Sequence, residues 1–165
     1  MHQERFFYGV DWGFSHDALA IVRCFIQDSC LYIDQEAYAV GVELDELGQF
    51  FRAVPGICEW QIYADNARPE TISYMGGQGF NIMAAPKWAG SVEDGITYIK
   101  GFKKVVIHKR CKNVVYEFKN YKYKIDKNTA EILPIVVDKD NHTIDAIRYA
   151  LSPYIKREVS IFEAI

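Results

Sequence analysis

Three aspartates in this chain stand where an acid can do chemistry. The apolar run Phe6-Phe7-Tyr8-Gly9-Val10 ends on Asp11, with Gly13 two residues further on. The stretch Gln61-Ile62-Tyr63-Ala64 runs straight into Asp65. Asp145 lies inside a helical pattern near the C-terminus, three residues after His142, so the two share a helix face. Two acids at strand ends and a third on a late helix point to a single carboxylate cluster. Carboxylate oxygens suit Mg²⁺ and Mn²⁺ far better than soft metals. Two such ions roughly 4 Å apart can activate a water and stabilise the leaving oxygen of an in-line displacement. The chemistry this predicts is phosphodiester hydrolysis. Any one Asp at a strand end is more often a cap or turn residue, so the combination carries the reading. His142 is read as auxiliary, placed to position a water, shuttle a proton or contact phosphate, against a plain surface histidine. Asp138 and Asp140, just ahead of the last helix, read as caps at its positive end.

Other chemistries lack their residues. Nothing reads GxxxxGK[ST], and Gly76-Gly77-Gln78-Gly79 is a helix stop rather than a phosphate loop. No GxSxG elbow occurs. The cysteines at 24, 30, 58 and 111 have no metal or disulfide spacing and read as free thiols. No apolar run approaches the roughly 18 residues of a membrane helix. The N-terminal Met-His-Gln-Glu-Arg lacks the layout of a secretory signal.

The elements that must position the acids follow from periodicity. Residues 6–12 read as a buried strand, and Ala18 to Ile26 and Leu31 to Val40 as an antiparallel hairpin turning at Asp28-Ser29, giving a meander. Glu43 to Val54 has helical spacing and is stopped by Pro55-Gly56; 60–64 is a short strand. Arg68 to Met75 is a helix closed by Gly76-Gly77, and Asn81 to Ala85 a strand. Ser91 with Asp94 reads as a helix start. Val105 to His108 is a strand and Cys111 to Tyr121 a helix. Asp126-Lys127-Asn128-Thr129 turns a hairpin between Tyr121 to Ile125 and Glu131 to Val137. Asn141 to Ser152 is the last helix, ended by Pro153. At 165 residues the chain holds one core and is too short for two ordinary domains. The fold class expected is α/β: one mixed sheet with an antiparallel first three strands, flanking helices and an additional β-hairpin.

Net charge is −3, but it is unevenly spread. Residues 1–85 carry −8, residues 86–130 carry +7 and residues 131–165 carry −2. An acidic site beside a basic rim suits a phosphate backbone bridged by metal. Lys122 and Lys124 are the best candidates for DNA contact, because they alternate with Tyr121 and Tyr123 along a strand. Lys87, just past a strand end, is the next.

Val10-Asp11-Trp12-Gly13, Tyr63-Ala64-Asp65-Asn66-Ala67-Arg68-Pro69-Glu70, Lys87-Trp88-Ala89-Gly90-Ser91-Val92 and Asp140-Asn141-His142-Thr143-Ile144-Asp145-Ala146-Ile147-Arg148-Tyr149-Ala150 resemble the C-terminal nuclease domain of tailed-bacteriophage large terminases. The resemblance runs from about residue 6 to 155, and its final block is the most specific. It implies an RNase H-like fold and a metal-dependent endonuclease, using two Mg²⁺ or Mn²⁺ ions, that cuts concatemeric viral DNA during packaging. The family's three acids fall on Asp11, Asp65 and Asp145, and the histidine of some relatives on His142. Many relatives carry Asp-Pro-Thr-Ala after the first acid; here Asp17-Ala18-Leu19-Ala20 lacks the proline and threonine. Implied partners are double-stranded DNA, the terminase ATPase domain, the small terminase subunit and the portal, in the host bacterial cytoplasm and with no membrane. The expected organisation is a single nuclease domain over 1–165 without the ATPase domain, as an excised piece or a split form; the start at Met1-His2 just before the first strand favours excision. Two other readings compete: a non-catalytic DNA-binding or docking module, and an ATPase fragment of the actin and sugar-kinase type.

Overall fold

The computed structural model describes residues 5–13 and 15–163; the side chains of 123–125, 132–136 and 159–163 fall outside that description. Three long strands, β1 (Phe6–Asp11), β2 (Ala18–Gln27) and β3 (Cys30–Val40), form the expected antiparallel meander. The β2–β3 turn is two residues long, and Asp28 and Ser29 both have positive φ, the twist that a tight hairpin needs. Strand β4 (Ile62–Ala64) lies parallel to β1, and β5 (Ile82–Ala84) parallel to β4. On the far side β6 (Lys104–Ile107) lies parallel to β3, so the sheet order is β5-β4-β1-β2-β3-β6. Strands β7 (Tyr123–Ile125) and β8 (Ile132–Val136) form a separate two-stranded hairpin.

Among the described residues five helices flank the sheet: α1 (Leu47–Arg52), α2 (Pro69–Gly77), α3 (Ser91–Lys100), α4 (Lys112–Asn120) and α5 (His142–Glu163). Strand alternation divides the core in two. Tyr8, Val10 and Trp12 pack with Phe51, Ile57, Ile62 and Met75 on the α1–α2 side. Phe7 packs on the other side with Ala146, Ile147, Ala150 and Leu151 of α5. Gly9 and Asp11 have the parity of Phe7 and so face α5. Gly9 is what lets that helix approach, since a Cβ there would stand 1.8 Å from the Ala146 carbonyl oxygen. Cys24, Cys30 and Cys111 are buried thiols and Cys58 is an exposed one.

Several local expectations give way. The last helix does not stop at Pro153 but continues to Glu163. Proline removes one backbone donor, and the Ser152 hydroxyl donates instead to the Tyr149 carbonyl at 2.7 Å. The buried row Ile147, Leu151, Ile155 carries the helix across the proline. The segment 43–54 is a 3₁₀ turn, Leu44–Glu46, followed by α1. Gly76 and Gly77 lie within the last turn of α2, and left-handed Gly79 follows it. Helix α3 does start at Ser91 as expected, with left-handed Gly90 in the cap position; Asp94 Oδ2 accepts from Trp88 Nε1 at 2.6 Å.

Candidate active site

Register brings two of the acids together. Val10 pairs with Ala64 across β1 and β4, so Asp11 and Asp65 are the next residues on adjacent parallel strands. The Asp65 N–H extends that ladder to the Val10 carbonyl at 2.9 Å. Trp12 Nε1 donates to the Asp65 carbonyl at 3.0 Å and stacks on Phe51, fixing the main chain behind the acid. The third acid arrives on α5. Because Gly9 lies beneath Ala146, the first turn of that helix, with His142 and Asp145, comes over the end of β1.

Each acid is held by a basic side chain. His142 Nδ1 stands 3.1 Å from Asp11 Oδ2, Lys87 Nζ stands 3.0 Å from Asp65 Oδ1, and Arg148 bonds Asp145 Oδ1 through Nη2 at 2.6 Å and Nε at 3.2 Å. Asp65 Oδ1 also accepts from the Ala67 N–H at 3.2 Å. The hydrogen bonds among the described residues therefore fall on one oxygen of each carboxylate. Burial pushes the Asp11 carboxyl up to about 6; the His142 hydrogen bond opposes this, while the charges of Asp145 and Asp65 add to it. The bond to Asp11 in turn raises His142, against the effect of burial. Burial raises Asp145, and the Arg148 guanidinium offsets part of that.

As the side chains stand, no three His, Cys, Asp or Glu among the described residues converge closely enough to hold a metal. The chemistry of the donor set nonetheless fits hard divalent ions. Three carboxylates meet at one sheet end, Asp11 and Asp65 are more than nine-tenths buried, and Asp11 is coupled to both others. Such a group is electrostatically frustrated without added positive charge.

The expected caps of α5 are replaced. The buried Glu117 of α4 accepts from Thr143 N at 2.8 Å and Ile144 N at 3.2 Å, satisfying the first turn of the helix that carries His142 and Asp145. Asp138 accepts from the Asn141 side chain instead, and Asp140 has a left-handed backbone. Burial pushes the Glu117 carboxyl up, and its bonds to Thr143 and Ile144 pull it down. Glu117→Ala should lower stability by about 2 kcal/mol in denaturant titration, because it leaves buried N–H groups unpaired.

Of the sequence candidates, Asp11, Asp65, Asp145, His142 and Lys87 meet at the sheet end. Lys122 is exposed immediately before β7, and the side chain of Lys124 lies outside the described residues. A register irregularity between Tyr123 and Ile125 interrupts the simple alternation expected there. Arg148 and Glu117 were not anticipated. The i, i+3 spacing of Asp145 and Arg148 was a usable signal for the first; nothing local marked the second.

The mixed sheet of order β5-β4-β1-β2-β3-β6 with its flanking helices matches the RNase H-like fold of solved terminase nuclease domains. Residues 11–153 match the Terminase RNAseH like domain family, and the chain belongs to it. It is 36% identical over 151 residues to the PBSX phage terminase large subunit of Bacillus subtilis (strain 168), covering 88% of this chain and 34% of that protein. It is 34% identical over 154 residues to the terminase large subunit of Bacillus phage SPP1, covering 90% and 36%. The chain thus spans about a third of the length of the curated relatives it matches. The crystal structure of the g2p large terminase nuclease domain from bacteriophage SPP1 with bound Mn superposes with a TM-score of 0.83, at 32% identity, over 91% of this chain and 86% of that one. The P22 large terminase nuclease domain, at 19% identity and a TM-score of 0.66 over 96% and 84%, shares the fold.

Proposed function

We propose that this chain is a divalent-metal-dependent endodeoxyribonuclease that cuts concatemeric viral DNA during genome packaging in the host bacterial cytoplasm. The observation that carries the reading is that Asp11 and Asp65 end adjacent parallel strands while α5 brings Asp145 over them, with the Asp11 carboxyl raised to about 6. The bound Mn of the SPP1 nuclease domain supports Mn²⁺ or Mg²⁺ as the ion. Two ions, when bound, would supply the activated water and the stabilisation of the leaving oxygen. Asp11, Asp65 and Asp145 would hold them. His142 keeps Asp11 oriented through Oδ2, and is placed to hold or pass a proton beside it. Lys122 and Lys124, at the start of the β7–β8 hairpin, would take phosphates, positioning a duplex without reading its sequence. In the packaging motor the domain would work beside an ATPase domain, the small terminase subunit and the portal.

Cleavage of supercoiled plasmid tests this. Cutting is expected with Mn²⁺ or Mg²⁺ and none with EDTA, and metal should raise the melting temperature by mass action on the folded state. Undiminished cutting in chelator contradicts the reading. His142→Ala should slow cleavage by about ten- to a thousandfold, less than loss of an acid, in single-turnover assays at saturating Mn²⁺.

A further inference from the structure

We propose that the Lys87 ammonium is a built-in counterion that occupies a cation position at Asp65 and is displaced when a divalent ion binds there. The inference rests on the metal-dependent reading above and adds a residue to it.

Two elements define the position. Lys87 Nζ lies 3.0 Å from Asp65 Oδ1, and 5.9 Å from the ring centroid of Tyr149, one turn beyond Asp145 on α5. A carboxylate on one side and an aromatic face on the other both attract positive charge. The ammonium is thereby held between the strand end and the helix.

The three basic partners differ in their freedom to leave. The Arg148 side chain is 6% exposed and bonds Asp145 through two nitrogens, so its departure would strand a buried charge. His142 sits 22% exposed against Asp11. The Lys87 side chain is 42% exposed and lies in the segment that follows β5. Its compact charge rides on a flexible four-carbon stem that can swing into water at little cost. A half-exposed lysine pair of this kind contributes little stability, so an ion with twice the charge can replace it. A divalent ion on Asp65 would repel the adjacent ammonium, which has a short path to water. The released ammonium remains at the rim of the site, where a DNA phosphate can take it. Loading of the ion would then free a cation for the substrate.

Calorimetric titration of the full chain with Mn²⁺ tests the exchange, using wild type, Lys87→Met and Lys87→Gln, with melting in EDTA as the check on folding. Both variants should bind Mn²⁺ about fivefold or more tightly than wild type, because a competing cation is gone. The gain should vanish when Asp65→Asn is added. Equal or weaker Mn²⁺ binding by folded variants, alongside wild-type cleavage that still needs metal, would overturn the counterion role and leave the nuclease reading standing. Absence of Mn²⁺ binding by the wild type overturns both.

Discussion

Asp11→Asn, Asp65→Asn and Asp145→Asn should each lower Mn²⁺-dependent cleavage by about a thousandfold or more, because each removes a charge that a bound ion needs while keeping the side chain's shape. Their effects on folding should diverge. The Asp11 carboxyl is raised to about 6 by burial and by its acidic neighbours, so its charged form opposes folding. Its contribution favours the folded state below the ordinary carboxylate pKa and is lost as pH rises through about 6. At pH 8 in EDTA, Asp11→Asn should therefore be more stable than wild type, by on the order of 2 kcal/mol, and the gain should shrink below pH 5. Asp145→Asn should go the other way. The amide still accepts from Arg148 but no longer balances a guanidinium that is 6% exposed, which costs about 1–3 kcal/mol. Paired melting and cleavage measurements check both halves. An Asp145→Asn protein as stable as Asp11→Asn would contradict the role given to Arg148.

Gly9→Ala should cost about 3 kcal/mol or more and abolish cleavage. The added Cβ would lie 1.8 Å from the Ala146 carbonyl oxygen and 2.8 Å from the Ala150 nitrogen, which are helix backbone and cannot rotate away. Either α5 lifts from β1 or the strand bends. Both separate His142 and Asp145 from Asp11. The expected result is a lower denaturant midpoint together with lost activity, even where the variant still folds. A stable Gly9→Ala protein that cuts at the wild-type rate would mean that α5 does not set the site geometry.

Much of this arrangement was legible in the chain. Apolar runs into Asp11 and into Asp65 marked two strand ends, and the three-residue spacing of His142 and Asp145 put both on one helix face. What local pattern could not show were partners chosen by tertiary contact. The Glu117 cap comes from a different helix, so the acids nearest in sequence, Asp138 and Asp140, drew the expectation instead. Lys87 stood out as a possible DNA contact from its place past a strand end, but its ion pair with Asp65, 22 residues away, had no local signal. Pro153 read as a stop because the Ser152 hydroxyl and the buried face beyond it act only in the packed helix.

The central claim is that Asp11, Asp65 and Asp145 hold the ions. Anomalous diffraction from crystals of the wild-type chain soaked in Mn²⁺ tests it most directly. Anomalous peaks are expected beside these three carboxylates, with the Lys87 ammonium moved off Asp65. Peaks elsewhere on the protein, with the three acids still paired to His142, Lys87 and Arg148, would contradict it.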